Sequence, residues 1–170
     1  PHFLYNTLES IRSEALIAGL GSVAEMTEAL ATFFRYTISK VENLVSVEEE
    51  IQNCETYFRI QQYRFGTRLS LSIECDPDDR DEIYCCRLPK LTMQPILENM
   101  FLYTLEVIDY RGFLKVSYEK NNEFLDIVFE DNGDTVSEEK LESMRKMLEE
   151  HETGETTALI NIHERLRLAY

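Results

Sequence analysis

Leu91, Met93, Ile96, Leu97, Met100, Phe101 and Leu105 recur at three- and four-residue intervals, and no other stretch restricts the possible folds of this chain as strongly. That is the period of a helix with one buried face. The surrounding segment, Leu88 to Thr104, separates two patterns: helical periods dominate before it and sheet-like alternation follows it. Asn99 sits inside the apolar company. A buried amide that loses its hydrogen bonds costs roughly 1–3 kcal/mol, so the protein or a ligand has to satisfy it.

Upstream, Phe3, Leu4, Leu8, Ile11, Ala15 and Leu16 predict a helix over residues 2 to 18, broken by Gly19-Leu-Gly21. Ala24, Met26, Leu30, Phe33, Phe34 and Ile38 predict a second, from about Ser22 to Lys40. Ser46-Val-Glu-Glu49 has the form of a capping box, and a third helix runs from it to Gly66 with Val47, Ile51, Cys54, Tyr57 and Phe58 along its length. Three helices without intervening strands make a hairpin or bundle whose stripes need a partner. Arg68 to Cys75 then alternates as a strand. Asp76 to Asp81 is a polar turn, and Ile83 to Arg87 is expected as a further strand before the pivot helix. Phe113–Glu119 and Phe124–Glu130 form a hairpin about Asn121-Asn122, two residues that tolerate a left-handed backbone. Asp131-Asn-Gly133 ends it, Ser137–Glu150 reads as an exposed helix, 153–157 as a loop, and Ala158 to Leu168 as a last helix. The fold class is α+β, with helices on one face of an antiparallel-rich sheet.

Charge narrows the partners. The 32 acidic and 17 basic side chains among 170 residues leave a net charge of −15, which disfavours nucleic acid and acidic lipid surfaces. One nucleotide remains compatible, because bound magnesium supplies positive charge locally. Cys54, Cys75, Cys85 and Cys86 lack Cys-x-x-Cys spacing, and adjacent Cys85 and Cys86 cannot share one face of a strand; a reducing compartment fits. No run reaches the length of a membrane span. The chain opens on Pro1-His2 without a methionine, so it is read as a fragment whose N-terminal part, with any membrane segment, lies upstream. His151 and His163 are read as solvated or locally bonded, too far apart for a metal pair on one helix.

Pro1-His-Phe-Leu-Tyr-Asn-Thr-Leu8 resembles the phospho-acceptor box of the LytS-like (YehU-like) sensor histidine kinases. Leu44 to Glu50 with Tyr57 to Phe65 resembles the segment joining the helical and ATP-binding parts of that family. Gln94-Pro-Ile-Leu-Glu-Asn99 resembles its N box, and Asp131-Asn-Gly133 the start of its G1 box. All four occur in family order across essentially the whole chain.

The resemblance implies a helical dimerisation and phospho-acceptor module over residues 1–66, then an ATP-binding α/β sandwich of the histidine kinase, gyrase and Hsp90 ATPase type over 67–170. It implies His2 as the phosphorylated residue, with Asn6 one turn on to orient the ring. It also implies Mg held by Asn99, ATP bound with the help of Tyr103, Asp131, Gly133 and Asn161, and adenine recognised by the Asp131 carboxylate. The implied partners are a second copy of the chain through the helical segment and the receiver domain of a response regulator. The implied setting is the cytoplasmic part of a membrane-anchored bacterial receptor. The chain departs from the family at Leu102, where a lysine is usual, and at Thr135, Thr156 and Ala158, where glycine is usual. Those departures define the alternative expectation, a catalytically weak or inactive module that acts through dimerisation and protein contact.

Overall fold

A computed structural model describes residues 2–39, 43–105, 111–121, 123–133, 137–150 and 158–170. Helices α1 (His2–Ile17) and α2 (Gly21–Ile38) form an antiparallel hairpin. Gly19 provides the turn at φ +72°, a backbone position that costs a side-chain-bearing residue about 1–2 kcal/mol. Leu8, Ala15, Ala24, Ala29 and Ala31 are buried between and beneath the two helices, and the small residues allow close approach. The Tyr5 hydroxyl donates to the Phe34 carbonyl at 3.2 Å, and the Arg12 guanidinium lies 3.7 Å from Glu28. These contacts fix the pairing, so His2 lies level with the last turn of α2.

Strand β1 (Leu44–Ser46) follows, then α3 (Val47–Phe65). The capping box is formed: the Ser46 hydroxyl accepts from the Glu49 amide at 3.1 Å, and the Glu49 carboxylate accepts from the Ser46 amide at 2.8 Å. Gly66 closes α3 at φ +65°. Strand β2 (Leu69–Cys75), helix α4 (Arg80–Cys85), strand β3 (Arg87–Pro89), helix α5 (Met93–Leu105), strands β4 (Gly112–Asn121) and β5 (Phe124–Asp131), and helices α6 (Glu138–Glu150) and α7 (Ala158–Ala169) complete the order.

The three-stranded sheet has the order β2-β4-β5. Strand β2 runs parallel to β4, with Leu69 opposite Gly112, and β4 runs antiparallel to β5, with Leu114 opposite Asp131. Its inner face, Leu114, Val116 and Tyr118, packs into one core with Leu97, Met100 and Phe101 of α5 and with Val47, Ile51 and Cys54 of α3. Helix α3 therefore packs on α2 on one side and contributes to the α/β core on the other. The fold is α+β, as the alternation and periods predict.

Several expectations are corrected. The sheet is mixed rather than antiparallel-rich, because α4, β3 and α5 lie between β2 and β4 and provide the crossover that parallel strands need. Residues Ile83 to Cys85 close α4 instead of opening a strand; the strand is Arg87–Pro89, and it pairs antiparallel with β1. Cys85 and Cys86 are thus the last residue and the C-cap of a helix. The helices are not free of strands, since β1 separates α2 from α3. The pivot helix starts at Met93, with Leu91 left-handed at φ 60° ahead of it. Asn121 is an ordinary strand residue paired with Phe124, and Asn122 lies outside the described residues, as do His151 and the predicted loop 153–157. His163 is half-buried on α7.

Burial raises the Tyr36 and Tyr118 hydroxyls and the Cys54 thiol above their ordinary values, with Glu50 adding to the shift at each. On raising the pH past about 9 to 10 the unfolded chain releases these protons while the folded chain retains them. Stability is therefore full below those values and falls as the pH rises through them, and urea midpoints measured between pH 8 and pH 11 should decline accordingly.

Candidate functional site

Glu50 is the third of three consecutive glutamates, and helical spacing sets it on the apolar stripe of α3 with Val47, Ile51 and Cys54. It is 0% exposed. Its carboxylate accepts three backbone hydrogen bonds at the start of α5: from the Leu91 amide at 2.7 Å, the Thr92 amide at 2.9 Å and the Met93 amide at 2.8 Å. The Tyr36 hydroxyl on α2 donates to the same group. A buried anion is tolerated here because the free amides of a helix N-terminus and the helix dipole both favour negative charge. The left-handed Leu91 turns successive amides toward one carboxylate.

The turn is held from other sides. The Lys90 ammonium donates to the Ser39 carbonyl at the end of α2 at 2.7 Å and lies 4.7 Å from the centre of the Tyr36 ring. The Thr92 hydroxyl donates to the Pro89 carbonyl at 2.5 Å. Arg165 of α7 donates to the Leu91 carbonyl at 3.3 Å and also to the Lys90 carbonyl. Thus α2, α3 and α7 all meet at the first residues of α5.

Helix α5 carries Asn99 away from that turn. The Tyr118 hydroxyl meets the Met93 sulfur at 3.5 Å, which sets the helix start against the hairpin end of the sheet. Asn99 is six residues on, roughly 9 Å along the axis, toward the sheet end where β5 delivers Asp131. Its side chain is half-buried and has no hydrogen-bond partner among the described residues. Among the neighbouring polar groups Asn53 donates to Gln94 at 2.7 Å and Gln94 donates to Glu98 at 2.7 Å, while the buried side-chain oxygen of Asn53 has no partner among the described residues. Tyr103 is placed one turn beyond Asn99 on α5, and its side chain lies outside the described residues, as do Thr135 and Thr156.

Asp131 is exposed at the last position of β5, and its carboxylate accepts from the Gly133 amide at 2.7 Å. Asn132 pins the strand end: its side-chain oxygen accepts from the Phe113 amide at 2.6 Å and its amide group donates to the Arg111 carbonyl at 3.0 Å. One lone-pair direction of Asp131 is thereby used and the others face solvent. Asn161 is exposed in the first turn of α7, which Ala158 opens. Since Arg165 reaches Leu91 and Tyr170 reaches the Arg87 carbonyl, α7 runs antiparallel to α5 and turns its Asn161 end toward the half of α5 that bears Asn99.

His2 is exposed at the start of α1, and Asn6 approaches its Nδ1 at 3.1 Å. The helix pairing sets His2 at the end of the hairpin where Tyr36 and Ser39 meet the α5 turn. A cavity of about 770 Å³ lies elsewhere, between the hairpin end of the sheet and α7, with Met93, Ile96, Ile127, Phe129, Ile162 and Leu166 in its wall. None of Asn99, Asp131, Gly133 or Asn161 lines it. Asn99 and Asn161 are each one helical turn or less from it, beside Ile96 and Ile162.

The fit to Mg is limited to one ligand type. Among the described residues no group of three acidic, histidine or cysteine side chains forms a metal cage. Asn99 supplies one hard oxygen, which suits an ion that keeps most of its shell as water and phosphate oxygen. Sequence reasoning passed over Glu50, Tyr36, Lys90 and Arg165. For Glu50 a signal existed: a glutamate in register with the buried face of an amphipathic helix.

Residues 1–69 match the family described as histidine kinase, which gives the class of protein. The chain is 34% identical to the sensor histidine kinase YesM of Bacillus subtilis over its full length, covering 27% of that protein. It is 31% identical to the sensor protein LytS of Oceanobacillus iheyensis over 98% of the chain and 28% of the relative. It is 27% identical to the sensor histidine kinase YpdA of Escherichia coli over the full chain and 29% of the relative. A structure described as the catalytic domain of histidine kinase ThkA aligns at a TM-score of 0.47 and 15% identity, over 72% of this chain and 77% of that one. The chain belongs to the LytS-like sensor histidine kinases and spans about a quarter of the length of these curated relatives.

Removing the Glu50 carboxylate leaves three amides without their acceptor in a water-poor site, at about 1–3 kcal/mol for each group left unsatisfied. Glu50→Ala is expected to lower folding stability by at least about 3 kcal/mol in urea titration. Glu48→Ala, on the exposed side of the same turn, should leave the midpoint nearly unchanged.

Proposed function

We propose that this chain is the kinase core of a sensor histidine kinase that phosphorylates His2 from Mg-ATP and passes the phosphoryl group to an aspartate on a response-regulator receiver domain. In this reading residues 1–66 form the dimerisation and phospho-acceptor module and 67–170 the ATP-binding domain, with α3 packed against both. The whole is the cytoplasmic part of a membrane-anchored receptor; among the described residues no helix is long and apolar enough to cross a membrane.

The carrying observation is the pair His2–Asn6. A histidine is a nucleophile only through the ring nitrogen that lacks a proton. The Asn6 side-chain nitrogen lies 3.1 Å from His2 Nδ1 and donates to it, so Nδ1 is the acceptor and the neutral ring carries its proton on Nε2. Asn6 thus fixes the orientation of the ring, and Nε2 can attack phosphorus in line once its proton passes to water. Mg-ATP, when bound, would supply the electrophilic γ-phosphoryl group; the P–Nε2 bond would form as the P–O bond to ADP breaks and the Nε2 proton leaves to water, while Nδ1 keeps its hydrogen bond from the Asn6 amide. Asn99 offers the amide oxygen that would hold Mg. Asp131 offers carboxylate lone pairs to the adenine amino group, an interaction worth roughly 1.5–3 kcal/mol. Gly133 keeps the strand end free of a side chain beside the purine, and Tyr103 and Asn161 complete the proposed contacts.

Homodimerisation through the hairpin is supported by its uncovered apolar residues. Phe3 and Ile17 are 83% and 81% exposed, and Ile11, Leu16, Leu20 and Val23 are exposed near them. Sedimentation of a longer chain extended upstream of Pro1 should give a dimer, and a monomer at high micromolar concentration would remove this part of the reading.

Two substitutions test the chemistry. Incubation with γ-labelled ATP should place an acid-labile, base-stable label on the protein, and His2→Gln should abolish it; acid-stable label, or label surviving the substitution, rejects His2 as acceptor. Asp131→Asn should weaken nucleotide binding by about tenfold or more at unchanged thermal stability, because the amide presents a donor to a donor. Equal affinity by calorimetry would remove Asp131 from the site.

A further inference from the structure

We infer that Glu50 is a positioning residue for Asn99, and that Tyr36 makes this positioning depend on helix α2, so that the hairpin bearing His2 and the helix bearing Asn99 share one buried carboxylate. The inference rests on the roles proposed for His2 and Asn99, but the coupling itself stands on contacts that involve neither.

Glu50 holds the first amides of α5 and nothing else on that helix, so it sets where the helix begins and how it is rotated. Over the six-residue step from Met93 to Asn99 within α5, a shift at the first turn is carried rigidly to the amide. The fourth hydrogen bond to the carboxylate comes from Tyr36, three residues before Ser39, the C-cap of α2. The same phenol ring lies against the Lys90 ammonium, and Lys90 in turn donates to the Ser39 carbonyl. A cation at the C-terminus of α2 and an anion at the N-terminus of α5 each complement the nearby helix dipole. Tyr36 touches both charges. Displacement of α2 along its axis therefore pulls on the acceptor of the α5 amides and on the residue just before them. Helix α1, paired with α2 through Tyr5–Phe34, moves with it and carries His2.

A chain of packed groups with fixed partners is a physical route for coupling only if breaking a link changes the far end. Tyr36→Phe is the informative break, since it keeps the ring on Lys90 and leaves the carboxylate with its three amides. In the purified 170-residue chain it should lower thermal stability clearly less than Glu50→Ala does and leave the Mg-ATP dissociation constant within roughly twofold, while the rate of His2 labelling changes by on the order of tenfold. Amide exchange at Leu91, Thr92 and Met93 should quicken, because a carboxylate freed from its phenol partner reorients, while exchange along β4 and β5 stays as it was. Labelling and exchange both unchanged in Tyr36→Phe would overturn the coupling, and so would losses of labelling, affinity and thermal stability in proportion, which mark a structural role only. If the wild-type chain takes up no label at all, the nucleotide reading has failed and the exchange arm alone decides: faster exchange at residues 91–93 supports the coupling and unchanged exchange overturns it.

Discussion

A carboxylate with no exposure to water bonds four donors from two other parts of the chain, and the arrangement of the helices depends on it. Desolvating an anion costs several kcal/mol unless hydrogen bonds replace its hydration. Glu50 obtains that replacement only where the start of α5 and the end of α2 come together against α3. The anion is therefore compatible with this packing and costly in alternatives that separate any of the three helices. Specificity of this kind differs from the general attraction of the core. Leu97, Leu114 and Cys54 would be buried in many packings, whereas Glu50 is satisfied in few.

The consequences reach the candidate site. Lys90, Leu91 and Thr92 connect a short strand to the helix that bears Asn99, and each is fixed by a partner distant in sequence: Ser39, Glu50 or Arg165. Asn99 has no such partner among the described residues, nor has the outward side of Asp131 beyond its bond to Gly133. Rigid support behind unpaired polar groups is what a binding site requires, since ligand contacts then need no reordering of the protein. The cavity beside α7 is separate from these groups: its floor is apolar, with Met93, Ile96, Ile127 and Ile162, its wall also carries Glu82, Arg87, Lys120 and Glu123, and none of Asn99, Asp131, Gly133 or Asn161 lines it.

The hairpin, the capped α3, the β4–β5 pair and α7 were legible because each is specified by its own local pattern. Ser46 and Glu49 state a helix start within four residues, and alternation from Gly112 to Asp131 states two strands. The candidate site residues were named through resemblance to a family and not through periodicity. The misreadings fall where an element is short. Ile83 to Cys85 carries too few residues to distinguish a helical turn from a strand, and β1 and β3, three residues each, exist only because they pair with one another.

The sequence by itself determined the α+β class, the positions of its long elements, the capped start of α3, the charge balance that disfavours nucleic acid, and the family to which the motifs point. These follow from hydrophobic period, turn chemistry and composition, which are properties of neighbouring residues. Only the tertiary structure decided that β2 joins β4 in parallel, that the pivot helix begins after a left-handed Leu91, and that Glu50, Tyr36, Lys90 and Arg165 converge on it. Those contacts span 14 to 75 residues, and the driving term, the need of a buried charge and of helix-end amides for partners, has no sequence period by which it can be read.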